Sequence, residues 1–460
     1  MKAVSPWQDI LPGRTRCDRM CCDHRRQEAA VSQSIESLLI SPPNLAELDI
    51  PNAVAMDIVL RLLFTEGDTT ATRLEEVIRL RFKVLDEILL QLQGEHLVEV
   101  PGATGKLGRR SYLYRITEEG KSRARDALER TQYIGPAPVP VEKYNKAILW
   151  QARHEEVSPQ QVKDALSHLV LPEHFDRKIG PAVNAGASLF LYGPPGNGKT
   201  TIAEAIAGLV SSIDPIWLPY AVNVGTQVIQ LHDPLVHKEF EGDAPTAVDP
   251  RWSRYHRPVV MAGGELGLDS LDLLFDPVTK FYDAPLQMKA NGGMFLIDDF
   301  GRQQMRPTDL LNRWIVPLES HIDVLRLRTG QTFQIPFEQL IVFSTNLDPA
   351  NLVDDAFLRR IQMKVEVTSP DEKMFYRLFS AMCNQLEVPF DKTTFLHLLQ
   401  QWYYKPGRNL QSVHPRDLLR VVVALSNYEG IPYRLTPEII DEACWAYFVR
   451  SQSDTDPTDN

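Results

Sequence analysis

The residues with the most specific chemistry lie in the run Gly193-Pro194-Pro195-Gly196-Asn197-Gly198-Lys199-Thr200. Glycines at this spacing let the backbone curl until successive N–H groups point inward, a concavity suited to phosphate oxygens. An apolar stretch, residues 187–192, precedes the run and is fit for a buried parallel strand. Thr201–Ala207 follows and reads as a helix. Strand, Gly-x4-Gly-Lys-Thr, helix is the context in which such a loop cradles the phosphates of a nucleoside triphosphate. The helix N-terminus adds the positive end of its dipole. Lys199 is expected to bridge the β- and γ-phosphates and the Thr200 hydroxyl to ligate Mg2+, with Thr201 beside them. ATP and Mg2+ are the expected cofactors.

Further along, Met294–Ile297 forms an apolar strand that ends in Asp298-Asp299. Asp298, at the carboxyl edge of that strand, is expected to hold the Mg2+ through water. Asp299 is then placed to polarise an attacking water. Another apolar run, Leu340–Thr345, ends at Asn346. The segment Asp355-Ala356-Phe357-Leu358-Arg359-Arg360-Ile361 follows, and later His414-Pro415-Arg416. Pro415 can start a helix, which places Arg416 in its first turn.

The elements that must position these residues follow from the pattern around them. From about residue 145 to 450 strands alternate with helices, as in an α/β domain followed by a helical one. Ahead of it, apolar spacing predicts helices over Met56–Phe64, Ala71–Leu80 and Phe82–Leu92, with Gly94 ending the third. Leu97–Val100 and Ser111–Ile116 read as a hairpin, and Thr117 as the N-cap of a fourth helix. Residues 132–144 are Pro-rich and read as a semi-rigid spacer. The expected division is a flexible leader (1–48), an N-terminal domain (50–131), the linker (132–144), an α/β nucleotide-binding domain (145–368), a helical lid (369–450) and a disordered tail (451–460).

Composition bounds the remaining possibilities. A chain of 460 residues is too long for one ordinary core. Its apolar fraction of 43% and charged fraction of 24% are those of a globular protein. No stretch approaches the roughly 20 apolar residues that span a bilayer, and the first residues have no signal-type apolar core. No membrane insertion and a cytoplasmic location are therefore expected. The leader run Cys17-x3-Cys21-Cys22-x-His24 lacks a second ligand pair, and His232-Asp233-x3-His237 lacks a third ligand, so neither reads as a metal site. A net charge of −11 argues against a wholesale nucleic-acid coat but leaves room for one small DNA-binding module.

In order along the chain, these motifs resemble those of the AAA+ ATPases over roughly residues 145–450. The resemblance implies a P-loop parallel-sheet domain with a C-terminal helical lid, and gives the residues roles. Gly193–Thr200 would be Walker A and Asp298-Asp299 Walker B. Asn346 would be sensor 1, orienting water beside Asp299. Arg360, with Arg359 in reserve, would be an arginine finger reaching a neighbouring subunit, and Arg416 would be sensor 2. A homo-oligomeric ring, expected to be a hexamer, with sites between subunits follows from the finger. Two hairpin signals, Leu273–Tyr282 and Val324–Ile335, are similar to the insertions of MoxR-type ATPases and magnesium chelatases. These commonly line the ring's pore, which leaves Phe281 and Tyr282 either as client contacts or as ordinary hairpin packing. Asp299 departs from that group, which usually has Glu at this position; Asp-Asp is the usual pair in replication initiators and helicase loaders.

The N-terminal domain resembles a winged helix, a small α+β fold, including the exit Ile116-Thr117-Glu118-Glu119-Gly120. Its wing carries Lys106, Arg109 and Arg110, which could meet DNA phosphates. Its third helix offers Lys83 but also Asp86 and Glu87, which a phosphate-lined groove would repel. Three functions follow as expectations. The first is ATP-driven remodelling of a protein client, in MoxR-like style. The second is a DNA-associated ATPase, a transcription regulator or an initiator-like loader. The third is a slow ATP-binding switch or scaffold.

Overall fold

Five short apolar runs pair in parallel in the computed structural model: Leu189–Tyr192 (β1), Val259–Ala262 (β2), Met294–Ile297 (β3), Leu340–Thr345 (β4) and Met363–Glu366 (β5). Their spatial order is β2-β3-β4-β1-β5. The structure describes residues 35–448 apart from 106–107, 153–155, 187, 243–244, 246 and 353–357. The cysteine-containing leader, Lys106, residues 355–357 and the tail 451–460 therefore lie outside the described residues.

Strand alternation sends side chains to both faces of the sheet. Leu189, Leu191, Leu296 and Val342 share one core with the helix Lys199–Ser211 through Ile202 and Ile206, and with Ile179 of the helix Asp176–Asn184. On the other face Phe190, Phe295 and Phe343 pack with Trp314 of the helix Pro307–Ser320. Burial on both faces is why these strands read as continuous apolar runs. A helical lid follows β5, built from Glu372–Gln385, Lys392–Leu398, a π-helical turn Leu399–Tyr404, His414–Glu429 and Pro437–Tyr447. Phe375, Phe379, Leu398, Leu418, Val422 and Ile440 form its core. This is the expected α/β class: a parallel sheet covered by helices on both faces, with a helical C-terminal part.

The N-terminal unit contains helices Asn52–Glu66, Ala71–Ile78, Phe82–Gly94 and Glu118–Arg130. An antiparallel sheet joins Thr69–Thr70, Tyr112–Ile116 and Val98–Ala103, in that spatial order. Thr117 caps the last helix, its hydroxyl accepting from Gly120 N at 3.0 Å. The strand Thr69–Thr70 is absent from the sequence reading, since two residues carry no periodicity.

Two expectations need correction, and of two readings of the first hairpin the structure favours packing. Residues 35–48 are not a flexible leader, because Leu39, Leu45 and Leu48 are buried. Asp249 N donates to Leu39 O at 2.7 Å, and Leu45 N donates to a Glu87 carboxylate oxygen at 2.8 Å. The segment is a strap joining the N-terminal unit to the body. The linker is not a spacer either. Tyr133, Ala137, Val139 and Tyr144 are buried, and Val139–Pro140 forms a strand pairing with Ala221–Val224. That strand belongs to a second sheet, ordered Leu274–Phe275, Tyr282–Asp283, Gln227–Gln230, Ala221–Val224, Val139–Pro140. The first hairpin is therefore docked. Tyr282 is buried, Phe281 meets Tyr133 edge to face at 5.5 Å, and Gln132 N donates to Thr279 O at 2.7 Å. Phe281 and Tyr282 are packing residues, not free pore contacts. The second hairpin, Ile322–Arg326 with Thr332–Pro336, has an exposed tip at Arg328–Gln331.

Candidate nucleotide site

The carboxyl ends of β1, β3 and β4 converge, and each hands a motif to the same cleft. Ligands in such sheets bind beyond the carboxyl ends of the strands, and here β1 lies between β4 and β5, next to the strand that carries Asn346 at its end. The loop after β1 is possible because Gly193, Gly196 and Gly198 take positive φ. Lys199 is buried at the start of the following helix, and its ammonium donates to Gly193 O and Pro194 O, both at 2.9 Å. Burial lowers the pKa of Lys199, and the nearby charges of Asp299 and Asp298 oppose that shift.

Thr200 donates its hydroxyl hydrogen to a carboxylate oxygen of Asp298 at 2.9 Å. Asn346 donates to a carboxylate oxygen of Asp299 at 3.1 Å. Asp299 itself is held in the left-handed region, at φ 49°, a conformation that few non-glycine residues adopt. Gln303 pins it there. Its side-chain amide donates to Asp298 O (2.9 Å) and Asp299 O (3.2 Å), and accepts from Gly301 N (2.8 Å). The end of β4 adds two further bonds to the same turn. Phe300 N donates to Ser344 O, and the Thr345 hydroxyl to Phe300 O, both at 2.7 Å.

These residues line a cleft of about 440 Å³, a volume that suits a nucleotide-sized ligand. Its lining includes Pro195 through Thr201, Asp298, Asp299, Asn346, Ser412, Val413 and Arg416. Arg416 sits in the first turn of the helix His414–Glu429 and bonds Asp417 at 2.8 Å. The far wall was not foreseen. It consists of His168–Leu171 and the lid residues Leu378, Ala381, Met382 and Gln385. No motif marks these positions, because an apolar wall needs only shape.

Arg359 and Arg360 do not line this cleft. Arg360 bonds Glu319 at 2.7 Å, while Arg359 is exposed beside it. Arg109 and Arg110 of the N-terminal unit are also engaged: Arg109 with Asp86 at 2.6 Å, and Arg110 with Glu75 at 3.6 Å. The pair His232 and His237 gathers no ligand set among the described residues. His237 Nδ1 accepts from Asp233 N at 2.9 Å, and its Nε2 lies 3.0 Å from Lys289 O.

A family model described as a domain of unknown function (DUF8689) matches residues 371–446, the lid. Among solved structures, a mutant of RuvB from Thermotoga maritima aligns with 67% of this chain and 73% of its own, at 14% identity and TM-score 0.34. NtrX from Brucella abortus aligns over 64% and 60%, at 14% identity and TM-score 0.39. A complex of the magnesium chelatase subunits BchI and BchD aligns over 67% and 94%, at 19% identity and TM-score 0.30. None of these is near enough to transfer a substrate or a partner.

Proposed function

We propose that this chain is an AAA+ ATPase that binds Mg-ATP in the cleft, hydrolyses it between subunits of a ring, and uses the cycle to remodel a protein client. The observation that carries the reading is the convergence of two polar pairs, Thr200 with Asp298 and Asp299 with Asn346, on the glycine loop that holds Lys199. A hydroxyl and a carboxylate oxygen within 2.9 Å are the donor types that Mg2+ takes. Bound there, the ion would neutralise charge on the phosphate oxygens. The chain's own residues do the rest. Backbone N–H groups of residues 196–200 and the Lys199 ammonium hold the phosphates, Asp299 orients and deprotonates water, and Asn346 fixes the carboxylate that does so.

Arg416 would sense the γ-phosphate from the lid. Arg360, or the more exposed Arg359, would reach a neighbouring subunit's site. The exposed tip of the second hairpin supports client contact. The first hairpin, docked on the N-terminal unit, would instead transmit movement to that unit. The DNA-associated alternative is weakened by the ion pairs of Arg109 and Arg110, since each basic group already faces a carboxylate.

The test is a coupled assay of ATP turnover on the purified full chain, over a concentration range that spans assembly. Lys199→Ala should lower turnover by about 100-fold or more, the scale of removing one strong transition-state contact. Absence of turnover in the wild-type protein, or a rate unchanged by Lys199→Ala, would refute the reading.

A further inference from the structure

Two separate stretches of the lid connection pack against the glycine loop, and the second borders the cleft through Ser412 and Val413. Val367–Ser369 lies where β5 passes into the first lid helix, and Gln411–Val413 immediately precedes the helix that carries Arg416. The approach is close. A Cβ on Gly193 would lie 2.3 Å from Val367 O. A Cβ on Gly196 would lie 2.8 Å from the Gln411 side chain and 2.9 Å from that of Val413. Val413 N donates to Gly196 O at 2.8 Å.

Asn197 joins the two stretches. It is 5% exposed, and its amide nitrogen donates to the Ser369 hydroxyl at 3.2 Å. Its amide oxygen accepts from Ser412 N, also at 3.2 Å. A planar amide presents a donor and an acceptor at once, so one side chain can hold the lid's entrance and the approach to Arg416 together. The start of the Arg416 helix is anchored from within the lid as well, through the buried contact of the Tyr403 hydroxyl with His414 Nδ1 at 2.9 Å.

We propose that Asn197 is a positioning residue that clasps the lid to the phosphate-binding loop and so sets where Arg416 stands over the cleft. The clasp is a matter of geometry; its effect on catalysis rests on the ATPase reading. Two measurements on the full chain separate these. The first is hydrogen exchange without nucleotide. In Asn197→Ala the amides of Ser412 and Val413 should exchange about tenfold faster, as expected for loss of one hydrogen bond, while those of β3 and β4 stay unchanged. Unchanged exchange at Ser412 and Val413 overturns the clasp. Ser369→Ala, which leaves the loop sequence intact, should accelerate the same amides by a smaller factor; it decides the matter if Asn197→Ala does not fold.

The second is a double-mutant cycle on kcat with Arg416→Ala. The penalty of Arg416→Ala should shrink at least about fivefold in the Asn197→Ala background, because coupled residues are not additive. Strictly multiplicative penalties overturn the positioning role. A wild-type chain without turnover would sink the ATPase reading and leave the exchange result standing.

Discussion

At the scale of single residues, Asp299 poses the sharpest question. It stands where the group the sequence resembles usually has a longer carboxylate. Its backbone is strained, at φ 49°, and strain of this kind persists only where the surroundings over-determine it. Gln303, Ser344 and Thr345 supply that determination through bonds to the turn Asp298–Gly301. We read the strained turn as the device that aims a short carboxylate at water. Gln303→Ala should therefore lower kcat about tenfold and leave ATP affinity within about threefold, the signature of a contact that matters to the transition state alone. Loss of affinity at unchanged kcat would contradict that role. The glycine loop and the two aspartates could be read from the sequence because their types and spacing are dictated by phosphate and metal chemistry. Gln303 could not, since it acts on backbone carbonyls that only the folded turn presents.

At the scale of elements, the histidines before the second half of the sheet show how a suggestive spacing becomes ordinary structure. His237 Nδ1 accepts a backbone N–H, so Nε2 carries the proton and faces Lys289 O, and the ring is neutral. Burial pushes its pKa down to about 4, from an ordinary value of 6.5. The charged and titratable groups around it are His232, Asp233 and Lys289. The unfolded chain takes up the proton near pH 6.5 and the folded chain near pH 4. Stability contributed by the neutral ring is thus complete above about 6.5 and is lost as the pH falls toward 4. The loss should be on the order of 3 kcal/mol. Calorimetric unfolding between pH 7 and 4 checks this: His237→Asn should unfold at a temperature less sensitive to pH across that window than the wild-type chain does. An equal slope for both proteins would assign the acid sensitivity elsewhere.

The same scale explains what the sequence hid. Apolar runs buried on both faces announced β1, β3 and β4, and Thr117 announced its helix. Two-residue strands such as Thr69–Thr70 and Val139–Pro140 have no period to detect. Their pairing depends on partners far along the chain. The Pro-rich stretch 132–144 signalled stiffness, but composition says nothing of what a stiff segment lies against.

At the scale of the whole molecule, the N-terminal unit is fastened to the body. Arg251 is fully buried and bonds Asp249, Asp49 and Pro138 O, with Lys143 also reaching Asp49 at 3.0 Å and Asp249 at 3.6 Å. Arg81 donates to Val248 O at 2.7 Å. Buried ion pairs of this kind are costly to break from one side, so the unit, the strap and the first hairpin should move together. ATP-dependent change at Asp298 would then reach the N-terminal unit along the chain between β3 and the docked hairpin. The proposed catalytic role depends on one claim, that the cleft hydrolyses ATP with Asp299 as its base. The most direct measurement compares ATP binding and single-turnover hydrolysis in the wild-type chain and in Asp299→Asn. The account predicts ATP affinity within about threefold and hydrolysis slower by about 100-fold or more in the variant. Hydrolysis at the wild-type rate by Asp299→Asn, or none by the wild-type chain, would contradict it.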